Sequence, residues 1–217
     1  MDNTGGMSLT DLLAQPGVHE EVEIRGRFGF LAFHGGPVER VTSMIARMAA
    51  EASGSTFYSI DQPAGRPLHL PSTRYRPEES PALANVLEHI DIVCTVHGYG
   101  REMDKQHFLL GGQNRELAKV MAEQLVETIP SKFKVITDLD AIPRELRGVH
   151  PQNPVNKPPH QGVQLEIPPS PRWNWNAHDW ADADGLKPTS AVQGIVEALA
   201  ATAVRWLDQG SKVTDGS

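Results

Sequence analysis

Short apolar runs alternate along this chain with amphipathic segments of helical period, and that order admits few folds. The run 28–33 is aromatic and apolar throughout, as suits a buried strand. Residues 38–52 then carry Val38, Val41, Ile45, Met48, Ala49 and Ala52 at helical spacing and stop near Gly54. Runs 56–60 and 91–96 repeat the strand pattern, and 68–70 and 107–110 are shorter candidates. Ser80, with Pro81 at the first helical position, opens a helix to His89. Helices are also predicted over 114–129 and 189–207, and strands over 133–137 and 162–167. This alternation implies one α/β domain, a mixed and mostly parallel sheet flanked by helices.

The boundaries follow from composition. Residues 1–20 are polar and glycine-containing and are expected to be flexible, apart from a short turn at Leu12 and Leu13. The domain spans 21–208, and 209–217 form a flexible tail. A proline- and asparagine-rich stretch, 142–161, promises little regular structure; loops this long in compact domains are usually functional. At 217 residues, with 39% hydrophobic and 22% charged residues, the chain supports one substantial core. A net charge of −7 with no basic block argues against nucleic acid as partner. Cys94 is the sole cysteine, which excludes a disulfide framework and a cysteine-based zinc knuckle. Neither a signal peptide nor an apolar stretch of membrane-spanning length is visible, so a cytoplasmic, soluble protein is expected. A monomer is expected too, with no argument from the sequence.

The strand ends carry the chemistry. The run 28–33 ends in His34-Gly35, and 91–96 ends in His97-Gly98. A third strand, GVQLEI, places Glu166 near its end. In open α/β sheets the carboxyl ends of strands line the ligand crevice, so all three converge there. Glu39 falls in the first turn of the helix predicted after His34 and can point back to the same spot. Two histidines and a glutamate suit zinc, with a fourth position left for water. Amide hydrolysis at such a centre needs a carboxylate outside the ligand set to carry the proton, and Glu166 fits. Each residue has a plainer reading: a strand-end histidine bonded to backbone, a glutamate complementing a helix dipole, a surface charge. Two His-Gly strand ends in one chain favour the metal.

HGGPVE, LHLPS, TVHG, GGQNR, GVHPQNPVNK and GVQLEI, in this order, resemble the poly-γ-glutamate hydrolase family over roughly residues 24–172. The resemblance implies a carboxypeptidase-like α/β fold, zinc held by His34, Glu39 and His97, and Glu166 as the catalytic carboxylate. It also implies hydrolysis of the γ-amide bonds of an anionic glutamate polymer. Such a substrate calls for cations. Arg115 is the first candidate for gripping a carboxylate, followed by Lys157 and Arg172, with Asn153 and Asn156 adding hydrogen bonds. Arg115 is equally readable as a helix-surface charge. His69 is either an orienting partner of a ligand or a histidine bonded to backbone. Trp173, Trp175 and Trp180 are expected to pack locally.

The chain departs from the family pattern in three places. Lys157 stands where arginine is expected, Pro37 stiffens the ligand loop, and the tryptophan-rich loop is unfamiliar. These departures leave metal and reaction class in place and bear on substrate identity. Alternatives are an N-acyl-amino-acid deacylase, a carboxypeptidase of peptidoglycan γ-linkages, or a silent binder of γ-glutamyl polymers. An α/β-hydrolase is a poor reading because no G-x-S-x-G elbow accompanies the His-Gly-Gly stretch.

Overall fold

The structure, a computed structural model, describes residues 6–65, 67–100 and 105–214. A short helix α1 (Leu9–Leu13) and an edge strand β1 (His19–Glu23) precede the long strand β2 (Gly26–Gly35). Then come α2 (Thr42–Ser53), β3 (Ser55–Asp61), α3 (Pro81–His89), β4 (Ile92–Gly98), β5 (His107–Leu110), α4 (Arg115–Thr128) and β6 (Lys134–Ile136). The chain closes with β7 (Gly162–Ile167), α5 (Pro169–Arg172), a two-stranded hairpin of β8 (Trp173–Asn174) and β9 (Asp179–Trp180), and α6 (Ser190–Thr214).

The seven-stranded sheet runs β1-β3-β2-β4-β7-β5-β6. β3, β2, β4 and β7 are mutually parallel, whereas β1 on β3 and β5 on β7 are antiparallel, so the sheet is mixed as expected. Successive side chains of a strand point to opposite faces. Phe28, Phe30, Ile92, Cys94, Val163 and Leu165 thus meet α2, α4 and α6 on one face. Leu31, Phe33, Tyr58 and Val93 meet α1 and α3 on the other. Among the described residues no α-helix covers the end of that second face above β4 and β7; the segment 142–156, with two short 3-10 turns, lies there instead, with Ile142 packed on Tyr99 and Leu109.

Four expectations are corrected. Residues 9–13 are not a flexible lead: Ser8 caps the helix, Leu9 and Leu12 are fully buried, and the Leu9 N–H donates to Glu79 Oε2 at 2.6 Å. Residues 1–5 lie outside those described. Residues 68–70 form no strand, because Gln62 takes both polar backbone groups of Leu68 with its own amide. The helix after β2 starts at Thr42 rather than Val38, so Glu39 sits in the preceding turn. At the other end, α6 continues to Thr214, into the segment expected as tail.

Candidate metal centre

The parallel register places His97 on β4 directly beside Glu166 on β7. Strict alternation along β2 would send His34 to the face of Phe28 and Phe30. A register shift between Ala32 and Gly35 breaks that alternation, and His34 emerges among Leu70, Tyr75 and His97. The turn after β2 folds back, with the Glu39 N–H donating to the His34 carbonyl at 2.8 Å. His34, Glu39 and His97 are buried, and their ligand-type atoms lie within 4.8 Å of one another.

The hydrogen bonds define the protonation. His34 Nε2 lies 2.8 Å from the Leu70 carbonyl, which has no hydrogen to give, so Nε2 is the donor. In neutral His34 the Nδ1 lone pair then faces Glu39 Oε1 at 2.7 Å and His97 Nδ1 at 3.3 Å. His97 Nδ1 also lies 3.2 Å from Glu39 Oε2. A proton on His97 Nδ1, donated to Glu39 Oε2, or a cation held by all three groups relieves the repulsion between these electron pairs. His97 Nε2 is buried without a hydrogen-bond partner among the described residues. Tetrahedral ligation at roughly 2.1 Å would set ligand atoms about 3.4 Å apart, near the separations seen. The residues therefore fit zinc, and the His34–Leu70 bond is the kind that orients a ligating imidazole.

Burial alone pushes the Glu39 carboxyl up, but the imidazoles of His34 and His97 outweigh it and hold it well below the usual carboxylate range. Its Oε2 also accepts the Gly98 N–H at 3.0 Å. His69, more than half exposed, lies against His34 with ring centroids 4.5 Å apart and tilted by 42°, and sets Nε2 3.7 Å from Glu39 Oε1. Glu166 is 3% exposed. Burial pushes its carboxyl up to about 8; His97 opposes the rise and the Glu39 charge adds to it.

The triad and Glu166 share one cavity of about 810 Å³, whose far wall is the segment 144–150. The other predicted contacts distribute differently. Asn153 reaches this cavity, although its amide donates to Gln164. Arg115 does not reach it: its guanidinium folds back onto the carbonyls of Leu110, Gly111, Gly112 and Thr137, tying the ends of β5 and β6 together. Lys157 lines a separate cavity of about 400 Å³ beside Arg76 and Glu79. Asn156 braces loops, donating to the Gly148 and His150 carbonyls and accepting from the Gln113 N–H. Arg172 is 3% exposed, donates to the carbonyls of Pro168, Arg40 and Tyr99, and does not line the cavity. Gly98 makes room for it, since a Cβ there would lie 2.5 Å from Nη1.

Among the described residues Arg144 and Arg147 also line the cavity, with Glu145 and His150 beside them, and sequence reasoning missed them. Their only signal was membership of the long loop. Arg147 donates Nε to the Ile142 carbonyl at 2.9 Å and sets Nη1 3.6 Å from Asp140. Trp173 and Trp180 pack edge to face at 5.5 Å, as expected, while Trp175 is exposed.

No curated protein matches this sequence. Among solved structures, a bacteriophage poly-gamma-glutamate hydrolase superposes with a TM-score of 0.74 at 22% identity, covering 89% of this chain and 91% of that one. A zinc-free, apo form of YNDL gives 0.69 at 19% identity, over 86% and 89% of the two chains. Both share the fold. The poly-gamma-glutamate hydrolase family model matches residues 8–181, which include every strand of the sheet, His34, Glu39, His97 and Glu166. The chain belongs to the poly-gamma-glutamate hydrolase family.

Proposed function

We propose that this protein is a zinc-dependent hydrolase of γ-glutamyl amide bonds in poly-γ-glutamate. The observation that carries the reading is the buried His34–Glu39–His97 cluster, whose lone pairs converge in a chain of this family. His34, Glu39 and His97 would hold the ion. Zinc supplies, when bound, polarisation of a carbonyl oxygen and a water of lowered pKa. The chain's own groups do the rest. Glu166, beside His97 on the neighbouring strand, takes the proton of the attacking water and hands it to the departing amine nitrogen. Arg144, beside Glu145 on the cavity wall, and Arg147, already bonded to the Ile142 carbonyl, would offer positive charge to the free α-carboxylates of a γ-linked chain, against the acidic total of the protein.

The test is mass-spectrometric product analysis on γ-linked and α-linked oligoglutamates, before and after chelation and zinc return. Cleavage of the γ-linked oligomer alone, lost on chelation and restored by zinc, is the expected result. Zinc bound at one equivalent with neither oligomer cleaved would overturn the substrate and turn attention to acyl-amino-acid and peptidoglycan amides.

A further inference from the structure

We infer that Gln164 and Asn153 are positioning residues that anchor one oxygen of Glu166 and leave the other as the proton-carrying atom; this rests on the hydrolase reading above. The argument starts from amide orientation. The Asn153 side-chain oxygen accepts the Val155 N–H at 3.2 Å, so its nitrogen points the opposite way, and Nδ2 donates to Gln164 Oε1 at 2.8 Å. Gln164 must then turn Nε2 outward. That nitrogen donates to the Leu146 carbonyl at 3.2 Å and to Glu166 Oε1 at 2.9 Å. The Leu146 carbonyl can only accept, so the orientation is fixed from both ends.

Asn153, Gln164 and Glu166 are 3%, 4% and 3% exposed, so water does not compete for these bonds. Gly148, at φ +63°, lets the loop backbone lie against the same amide; a Cβ there would sit 2.6 Å from Gln164 Oε1. Glu166 Oε1 is therefore occupied. No hydrogen bond from the described residues engages Oε2, and Glu166 lines the cavity. The chain Asn153 to Gln164 to Glu166 sets the carboxylate plane, and Oε2 is the oxygen left to work on water and leaving group. Buried, fully satisfied amides are rigid orienting groups, and small misplacements of a reacting atom are costly.

Gln164→Met removes the donor at similar volume. Asn153→Asp replaces the donor by an acceptor facing Gln164 Oε1, which sets this end of the amide against the end held by Leu146 and Glu166 and loosens its hold on the carboxylate. Both are measured in the wild-type and Glu166→Gln backgrounds, with kcat and KM on a γ-linked oligoglutamate and zinc content for each. The crystal structure of zinc-loaded Gln164→Met is determined alongside. Expected is a fall in kcat of about tenfold to 100-fold with KM and zinc content held. No further loss is expected in the Glu166→Gln background, because a group acting only through Glu166 has nothing left to position. In the crystal structure the Glu166 carboxylate should be turned from its wild-type plane or occupy more than one rotamer.

Equal losses in both backgrounds, or an unmoved Glu166, would overturn the inference. Should Gln164→Met fail to fold, the Asn153→Asp structure and kinetics decide. A wild type that binds zinc and cleaves no γ-linked oligomer defeats the hydrolase reading instead, and the Glu166 plane in the zinc-loaded variant still decides the positioning.

Discussion

Among the residues that face the cavity, His97 and Glu166 lie side by side in register yet carry separable duties. His97→Ala removes one of three convergent donors, so both zinc and hydrolysis should be lost. Glu166→Gln keeps the donors intact and should retain zinc at one equivalent while kcat falls by about 10²- to 10⁴-fold. Metal analysis beside product formation checks the pair, and near-wild-type turnover in Glu166→Gln would show that another group carries the proton. Glu166 also fixes a pH dependence in the metal-free protein. Burial, opposed by His97, reinforced by Glu39 and opposed by Gln164 and Arg172, lifts its pKa from 4.5 to about 8. The folded state therefore holds a proton that the unfolded chain releases, and this contribution to stability declines as pH rises from about 4.5 towards 8. Glu166→Gln has no such proton. Denaturant midpoints of the two metal-free proteins should diverge in favour of the variant across that interval; a wild type gaining ground would refute the shift. At this scale the sequence was partly legible. Histidines at the ends of apolar runs are visible because burial makes the run apolar. Arg115 was misassigned because nothing in its spacing shows a guanidinium folding back onto four carbonyls. Gln164 had a signal that went unread: in GVQLEI the apolar residues alternate with polar ones, so one face of a central strand is polar.

The turn between β2 and α2 is the element on which the centre depends most. It carries Glu39, and two residues later Val41 adopts φ +78°, a left-handed conformation that β-branched residues rarely accept. Asp182 holds it there. Its Oδ2 accepts the Val41 N–H at 2.7 Å, and its Oδ1 accepts Arg40 Nε and Nη2 at 2.8 Å and 2.6 Å. Asp182→Ala should cost about 1–3 kcal/mol of stability by leaving these donors unsatisfied. It should also weaken zinc binding, because the turn can relax and carry Glu39 away. Thermal unfolding beside zinc titration checks both; unchanged zinc affinity would mean that the turn is held from elsewhere. This turn also explains why α2 begins later than its apolar periodicity suggests. Val38 and Val41 keep the helical spacing, but Glu39 bends back to His34 and the helix cannot start through it. β1 was invisible for a different reason: its sequence, HEEVE, is that of a polar edge strand, whose place comes from pairing with β3 rather than from burial.

Across the whole molecule the sheet separates two cores, and the centre sits where helical cover on one face gives way to the segment 142–156. Zinc bridging β2, β4 and the intervening turn should stabilise the native state alone. At a thousandfold excess over Kd the gain is about 4 kcal/mol, which for a chain of this size raises Tm by roughly 8–16 °C. The rise should vanish in His97→Ala, and calorimetry with and without chelator measures it. The α/β class was legible because alternation of periods survives any error at element ends; the strand order was not, because periodicity carries no information on pairing. That order has its own consequence. β7 is the last strand of the large sheet to be synthesised, yet it inserts between β4 and β5. Until it arrives, two interior edges stand open, both rich in the hydrophobic residues that promote unwanted association. A nascent chain halted before Gly162 already contains His34, Glu39 and His97, but neither the strand that clamps β4 nor Glu166. The hydrolytic centre is thus completed by the same event that seals the sheet, and an incompletely made chain is an aggregation hazard before it is ever an enzyme.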